Sequence, residues 1–305
     1  MKRYTGLALA LGIAAGGIAV PAQAATTNLP LGTPCSEVRD TVGTQFNVKL
    51  CDVTDVDQFR THLAASGNSH CGPSSLYNAM YYLAEHRGLP ARVTPNGQRM
   101  DEYDPAKPAD YDAATAWIGW LGYKAGMGPN GGGSSAAENR EAFAAATVGA
   151  KEAGWTVNSA GVGTNNTPEF GLELAKRLKH APVQLWYGRY SYDSSDLTHT
   201  RTGGHAVTVV AAKGDVGSGK VELTLHDPAR SDDHKTAGYL DSQSSVREEK
   251  VTLYRTSIRV KVVPEQGEPY NVIRTYWRLI GPEYPGPSLA YVEAFNYFEA
   301  APPVG

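Results

Sequence analysis

The chain has 305 residues and a formal net charge of −3, with 28 basic and 31 acidic side chains. This mildly acidic balance gives no reason to expect nucleic acid or an anionic membrane as a partner. The length allows one large domain or two small ones with a substantial core. No segment after the N-terminus approaches the ~20 continuous apolar residues that a membrane helix needs.

The first 24 residues have the pattern of a secretory signal peptide. Lys2 and Arg3 form a basic start, residues 7–20 are apolar and small, and residues 22–24 are Ala-Gln-Ala, an A-x-A cleavage signal. We therefore expect cleavage after Ala24 and a secreted, extracellular protein. After cleavage no membrane partner is expected.

Three cysteines follow this segment, and an exported chain usually pairs its thiols. We expect Cys35 and Cys51, which lie close together in the N-terminal segment 25–55, to form a disulfide. That pairing leaves Cys71 as the odd thiol. The alternative pairing of Cys51 with Cys71 would remove the candidate nucleophile.

The pattern from residue 71 to about residue 179 is mostly helical. Apolar residues recur at helical spacing in the first helix, which Gly88 would end. They are Leu76, Ala79, Met80 and Leu83. Three further helices are predicted, over Asp110–Leu121, Glu138–Glu152 and Thr167–Lys179.

After Pro182 the pattern is typical of strands. The predicted strands are Val183–Tyr187, His205–Ala212, Lys220–His226, Val251–Val263 and Tyr270–Ile280. Polar residues 189–202 and 229–245 are predicted to be loops, and the segment after Pro282 receives no assignment. A helical first half followed by a β-rich second half indicates the α+β fold class.

Three residues form a candidate catalytic group. Cys71 lies where the first helix is predicted to begin, a position that lowers the pKa of a thiol. Val216 is eleven residues from both His205 and Asp227. A hairpin turn centred there would place these two residues directly opposite each other, with Cβ atoms ~4.5–5.5 Å apart. A thiol, an imidazole and a carboxylate in contact are the groups of nucleophilic catalysis.

Each of these residues also has a purely structural interpretation. A lone cysteine such as Cys71 is more often a small buried hydrophobe than a nucleophile. His205 could be a surface histidine at the start of a strand, and Asp227, in an Asp-Pro pair, could be a turn residue. The glycines of residues 214–220 have P-loop spacing, but a strand follows them and we interpret them as a turn. His226, Asp227 and His234 could be metal ligands, but their spacing fits no strong metal-site template. No metal or other cofactor is therefore expected.

Short motifs around these residues resemble the papain-like cysteine peptidases related to bacteriocin-processing, double-glycine leader peptidases. The motifs are Cys71-Gly72-Pro73-Ser74-Ser75-Leu76, Gly204-His205-Ala206-Val207-Thr208-Val209-Val210, Asp227-Pro228 and Ala181-Pro182-Val183. The resemblance spans residues 55–230. It implies a papain-like fold, in which a helical N-terminal half with a central nucleophile helix packs on a mostly antiparallel β-sheet or half-barrel.

The resemblance also implies roles and boundaries. Residues 56–281 would be the peptidase domain and residues 282–305 a C-terminal tail. Cys71 would be the nucleophile, His205 the base, and Asp227 the residue that orients it. The family has an oxyanion-hole glutamine several residues before its cysteine. Here Gln58, thirteen residues upstream, or Asn68 would take that role.

The implied activity is hydrolysis of peptide bonds in a peptide or protein substrate, with cell-wall peptides among the candidates. Two other classes stay open. The same three groups would serve a peptidoglycan amidase or endopeptidase, or a transglutaminase-like acyltransferase. The long extensions would also suit a non-catalytic binding protein on the same fold.

Overall fold

The computed structural model describes residues 26–30, 33–60, 62–90, 99–102, 107, 110–165, 167, 169–230, 245–284 and 289–304. The predicted signal peptide and its cleavage site lie outside these residues, as does most of the predicted loop 229–245. Among the helices of the described part of the chain, none is long and apolar enough to cross a membrane.

Strands from both ends of the chain join one large sheet. In the described residues they are β1 (Thr26–Pro30), β2 (Val38–Val42), β3 (Gln45–Lys49), β4 (Thr156–Gly163), β5 (Val183–Asp193), β6 (Thr198–Asp215), β7 (Lys220–His226), β8 (Ser245–Val262), β9 (Tyr270–Ile280) and β10 (Leu289–Ala301). The helices are α1 (Cys71–Arg87), α2 (Tyr111–Lys124), α3 (Ala136–Ala146), α4 (Val148–Glu152) and α5 (Phe170–Leu178).

The sheet is almost entirely antiparallel. Its strand order is β1-β8-β9-β10-β5-β6-β3-β2, with β4 beside β10 and β7 between β6 and β8. Six antiparallel pairings form a closed ring: β5 pairs with β6, β6 with β7, β7 with β8, β8 with β9, β9 with β10, and β10 with β5. This closed ring brings the end of β7 and the turn after β9 close to β5 and β6.

Helix α1 lies against the sheet and is buried from Gly72 to Ala84, apart from Tyr81. Its neighbours include β5, β6 and β10. The helix ends at Gly88, whose φ of 69° is in the left-handed region that glycine adopts without strain. The sheet covers one side of α1, and helices α2 and α3 cover other sides. The N-terminus of α1 therefore has a fixed position relative to β6.

The predicted papain-like architecture, with a helical N-terminal half packed on a sheet or half-barrel, is wrong. Strand β4 lies within the region 71–179 that was expected to be helical, strands β1, β2 and β3 precede that region, and the large antiparallel sheet dominates the molecule. The missed strands pair with distant ones, β1 with β8, β3 with β6 and β4 with β10. Strand formation that depends on such distant partners leaves little signal in a local window.

Two further assignments differ from expectation. The predicted loop 189–202 belongs mostly to the β5–β6 hairpin, whose side chains are largely exposed and therefore polar. The unassigned segment after Pro282 contains β10, which lies between β9 and β5 and also pairs with β4. The residues expected to be a tail therefore contribute a central strand.

A small cluster of buried side chains, the tyrosine cluster, lies apart from the main core. Its members are Tyr190, Ile258, Val260, Tyr276 and Tyr291. Within it the hydroxyls of Tyr190 and Tyr276 share a hydrogen bond at 3.3 Å. The cluster fills the space between the extended ends of β5, β8, β9 and β10.

The expected disulfide is confirmed. Cys35 and Cys51 are bonded, with their Cα atoms 5.8 Å apart, and Cys71 is a free thiol. The disulfide closes the segment in which β2 and β3 form a hairpin, and β3 pairs with β6. It therefore stabilises the attachment of the N-terminal segment to the sheet.

Replacing both Cys35 and Cys51 by serine is expected to lower the free energy of unfolding by roughly 3 kcal/mol, the chain-entropy value for a loop of about 15 residues. Urea unfolding followed by tryptophan fluorescence measures the change. As a control, a reducing agent should destabilise the wild type by the same amount and leave the double variant unchanged. Equal stability of the two oxidised proteins would contradict this structural role.

Candidate active site

Cys71 is the first residue of α1, and its side chain is partly exposed. The N-terminus of a helix carries a partial positive charge, which favours the thiolate over the thiol. The hydroxyl of Ser75 donates to the backbone carbonyl of Cys71 at 2.8 Å, one turn along the helix. The thiol is therefore held at a rigid, electropositive helix end and remains accessible.

Gly72 allows two other elements to approach this helix end closely. A Cβ at this position would lie 2.7 Å from Ser134 Oγ, 2.8 Å from Asn139 Nδ2 and 3.0 Å from Trp186 Cη2. On the β5 side, Nε2 of Gln184 donates to the Gly72 carbonyl at 2.8 Å. The start of α1 is thus fixed between β5 and the loop that precedes α3.

His205 lies within β6 and is buried, with 4% of its surface exposed. It is paired with Tyr187 of β5, and the two rings meet edge to face with their centroids 5.5 Å apart. The preceding Gly204 leaves room for Arg201, whose Nη2 would lie 2.6 Å from a Cβ at that position. The plane of the imidazole is therefore set by its neighbours in the sheet.

Asp227 directly follows β7 and is buried. The predicted direct opposition of His205 and Asp227 is wrong, because the last pair of the β6–β7 ladder is Thr208 with His226. Continuing that register sets Asp227 opposite Val207, which makes His205 its diagonal neighbour on the same face. The shift arises because the turn is centred between Gly217 and Ser218, where Asp215 pairs with Lys220, and not at Val216. A bulge between Val209 and Ala211 then moves the register by one residue, so that the two side chains share a face and meet across the diagonal.

The structure brings the three predicted residues together. Nε2 of His205 lies 2.6 Å from Oδ1 of Asp227, and the side chain of Cys71 hydrogen-bonds to the same imidazole. Since Nε2 is occupied by the carboxylate, Nδ1 is the ring nitrogen left to interact with the thiol. Oδ1 of Asp227 also accepts from the backbone N–H of Ala229 at 3.0 Å, and Oδ2 accepts from the hydroxyl of Tyr284 at 3.1 Å. The carboxylate is thereby fixed at both oxygens.

Burial and charge act in opposite directions on this pair. Burial alone would raise the pKa of Asp227, but the charge and hydrogen bond of His205, the N–H of Ala229 and the charge of Arg230 lower it to about 2. Burial alone would lower the pKa of His205, but the negative charge and hydrogen bond of Asp227 raise it well above its usual value. At neutral pH the pair is therefore a carboxylate and an imidazolium.

The imidazolium in turn acts on the thiol. Burial would raise the pKa of Cys71, but the hydrogen bond and charge of His205, together with backbone hydrogen bonds from Ala206 and Gly72, lower it. The lowered pKa of the thiol and the raised pKa of the imidazole both favour the same ion pair, a Cys71 thiolate beside a protonated His205. That combination is the resting state of an activated cysteine nucleophile.

The two candidates for the oxyanion donor, Gln58 and Asn68, line the same cleft as Cys71. A loop that folds back on itself brings Gln58 there despite its distance along the chain. Gly67 has a φ of +80°, and a Cβ at this position would lie 1.6 Å from the Gln58 carbonyl oxygen. Nε2 of Gln58 donates to the carbonyl oxygens of Gly67 at 3.3 Å and Asn68 at 3.2 Å. The amide therefore points along the loop that leads into α1.

An open cleft of about 670 Å³ lies over the thiol and the imidazole, within the ~300–1,000 Å³ typical of ligand sites. One wall is the loop 133–135 before α3, and the other is formed by β5, β6 and β10. In that second wall Arg201 forms an ion pair with Glu293 at 2.8 Å, and Tyr190 donates to Glu293 at 2.7 Å. The cleft thus has a polar wall that its own internal contacts hold in place.

Several residues that shape the site were not predicted from the sequence. Gln184 accepts from Trp186 Nε1 at 2.9 Å and from Asn296 Nδ2 at 2.8 Å, and so connects β5, β10 and the start of α1. A glutamine in an otherwise apolar strand was a signal that could have indicated this role. Tyr284 offered no such signal, because it lies in the segment that received no assignment.

No known protein-family model, curated protein or solved structure matches this chain. What the site can do therefore follows from its own chemistry. A thiolate can attack a carbonyl carbon, and an adjacent imidazolium can supply the proton that a leaving amine requires. The arrangement is thus suited to acyl transfer from an amide.

Substituting Gly72 by alanine is expected to destabilise the protein by roughly 1–3 kcal/mol, the usual cost of overpacking. The added methyl group would displace the loop before α3 or the ring of Trp186, so the reactivity of Cys71 should fall as well. Gly149→Ala in α4 is the matched control, since nothing lies within 4 Å of the position that its added methyl group would take. If Gly72→Ala and Gly149→Ala have the same free energy of unfolding and the same Cys71 alkylation rate, the close packing at the start of α1 is contradicted.

Proposed function

We propose that this protein is an exported cysteine peptidase that hydrolyses peptide bonds in peptide or protein substrates. Cys71 is the nucleophile, His205 the general acid and base, and Asp227 the carboxylate that orients the imidazole. The observation that carries the proposal is the position of the His205 imidazole. It contacts Cys71 on one side and lies 2.6 Å from Oδ1 of Asp227 on the other, beneath an open cleft. A cysteine with a purely structural role needs no such partner.

Two observations support export. The signal-peptide pattern at residues 1–24 directs a chain out of the cytoplasm. The disulfide between Cys35 and Cys51 is the kind of bond that persists in oxidising compartments. A secreted peptidase would meet extracellular proteins and cell-wall peptides as substrates.

The first half of the reaction is acylation. The thiolate Sγ of Cys71 attacks the carbonyl carbon of the scissile peptide bond, and the carbonyl oxygen becomes an oxyanion. The tetrahedral intermediate collapses as the C–N bond breaks, and the imidazolium of His205 gives its proton to the leaving amine. The products are a free amine and a thioester on Cys71, with His205 now neutral.

The second half is deacylation. Neutral His205 takes a proton from water as the water oxygen attacks the thioester carbonyl. Collapse of the second intermediate breaks the C–S bond and releases a carboxylic acid, which restores the thiolate and the imidazolium. Asp227 remains ionised throughout, because it stabilises the imidazolium and holds its orientation.

The oxyanion requires hydrogen-bond donors. The backbone N–H of Cys71 is at the first turn of α1, where N–H groups have no partner within the helix. We assign the side chain of Asn68 as the second donor, since it lines the cleft, whereas both N–H groups of the Gln58 amide already donate to backbone carbonyls. Loss of one such donor typically lowers kcat about 10²–10³-fold.

We expect the purified protein to cleave an unfolded protein such as reduced, carboxymethylated casein. Mass spectrometry of products formed in isotopically heavy water should find heavy oxygen in the new C-termini, because water completes the reaction. Cys71→Ala and His205→Ala should each lower the rate at least ~10³-fold, the scale of losing a nucleophile or its base. His62→Ala is the matched control and should retain full activity, because that side chain is 70% exposed.

Two outcomes would contradict the proposal. The first is full activity of the Cys71→Ala variant. The second is a folded wild type that cleaves no protein or peptide, cell-wall peptides included, at any pH. Transfer of the acyl group to an added amine in preference to water would instead identify an acyltransferase that uses the same three residues.

A further inference from the structure

The turn between β9 and β10 reaches the acid of the proposed triad. The hydroxyl of Tyr284 donates to Oδ2 of Asp227 at 3.1 Å. Tyr284 is buried, and its backbone N–H donates to the Gly281 carbonyl at 3.0 Å. The contact joins two segments that are 57 residues apart in the chain.

The ring of Tyr284 is fixed by its surroundings. It meets Tyr187 edge to face at a centroid distance of 5.7 Å, and the guanidinium carbon of Arg230 lies 5.1 Å from its centroid. A Cβ at Gly281 would lie 3.3 Å from Tyr284 Cδ2, so glycine provides the space that the ring occupies. The hydroxyl is therefore held in position before any substrate binds.

The same turn also positions a cation near Asp227. Glu283 accepts from Arg230 Nη1 at 2.8 Å and from Arg247 Nη2 at 3.0 Å. Arg230 in turn places its Nε 3.6 Å from Oδ2 of Asp227. Two consecutive residues, Glu283 and Tyr284, thus act on one carboxylate oxygen, the first through Arg230 and the second directly.

The two oxygens of Asp227 have separate partners. Oδ1 accepts from His205 and from the Ala229 N–H, whereas the contacts of Oδ2 are Tyr284 and Arg230. The torsion that turns an aspartate carboxylate has a broad, two-fold energy profile, so it has little preference of its own. Contacts at Oδ2, together with the Ala229 N–H at Oδ1, therefore determine how Oδ1 is presented to the imidazole.

We propose that Tyr284 is a positioning residue, whose hydroxyl, supported by Arg230, fixes the Asp227 carboxylate and through it the His205 imidazole. This role rests on the peptidase function proposed above. With this role for Tyr284, the proposed active site includes the segment after Pro282.

The charged and titratable groups around Asp227 come from several elements. They are His205 on β6, Tyr187 on β5, Arg230 after β7, Glu249 on β8 and Tyr284 itself. Burial and the nearby carboxylate raise the pKa of Tyr284 well above its usual value, so the phenol is neutral at all working pH values. Tyr284→Phe therefore removes one hydrogen bond without changing any charge.

We expect Tyr284→Phe to lower kcat roughly tenfold or more, the scale of one hydrogen bond to a charged group, while KM stays within about twofold. A less well held carboxylate stabilises the imidazolium less, so the alkaline limb of kcat/KM should move to lower pH. The apparent thiol pKa in Cys71 alkylation should move the other way, to higher pH, because an imidazolium that is stabilised less also stabilises the thiolate less. Tyr82→Phe is the matched control, since it also removes a hydrogen bond from a buried tyrosine to a carboxylate, that of Glu37, eleven residues along α1 from Cys71, and should change neither kcat nor the pH profiles.

A double-mutant cycle with Asp227→Asn separates positioning from general structural damage. If Tyr284 acts through the carboxylate, Tyr284→Phe should change the rate less than about twofold once Asp227 is asparagine. Multiplicative effects of the two substitutions would overturn the proposal, as would an unchanged pH profile in Tyr284→Phe. Should that variant not fold, Arg230→Lys provides the test: it keeps the charge beside Asp227, loses the guanidinium contacts to Oδ2 and to the Tyr284 ring, and should shift the alkaline limb to lower pH by a smaller amount.

The readouts also separate this proposal from the peptidase function. Normal hydrolysis and a normal pH profile in Tyr284→Phe would remove only the role of Tyr284. If the wild type is alkylated at Cys71 but hydrolyses no substrate, the peptidase function fails. The pH dependence of Cys71 alkylation in Tyr284→Phe then still decides the role of Tyr284. An unreactive Cys71 in the wild type would overturn both.

Discussion

The site depends on one buried contact, the 2.6 Å approach of the His205 imidazole to the Asp227 carboxylate. A buried ion pair is stable only where the remaining donors and acceptors are also satisfied, because desolvation of the two charges is costly. Here Cys71 satisfies the far side of the imidazole, and Ala229 and Tyr284 satisfy the carboxylate. Removing any one of these groups would weaken the others, so the fold must bring all of them together.

The closed ring of strands explains how groups so far apart in the chain meet. β6 carries His205, β7 ends at the residue before Asp227, and the turn after β9 carries Tyr284. Helix α1 packs against this ring with the partly exposed Cys71 at its N-terminus. Gly72 permits that packing, since a side chain there would collide with the loop before α3 and with Trp186. The reactive thiol is thus positioned by the sheet, although it belongs to a helix.

Local sequence patterns predicted the parts of the molecule that depend on neighbouring residues. β7 and β9 have the predicted bounds, α1 begins at Cys71, and the disulfide joins the expected cysteines. Distant pairing could not be predicted in this way. Neither the centre of the β6–β7 turn nor the bulge in β6 was predicted, and β1, β3 and β4 form only against strands far along the chain. Tyr284 was missed for the same reason, because its role exists only once β10 has joined the sheet.

Alkylation of the purified protein with iodoacetamide across pH, with peptide mapping, tests most directly whether Cys71 is an activated thiolate. The structure predicts selective modification of Cys71 with an apparent pKa well below the ~8.5 of a free thiol. In His205→Ala the apparent pKa should rise, because the imidazolium that stabilises the thiolate is gone. A Cys71 that stays unmodified in the folded protein, or titrates like a free thiol with or without His205, would contradict the account.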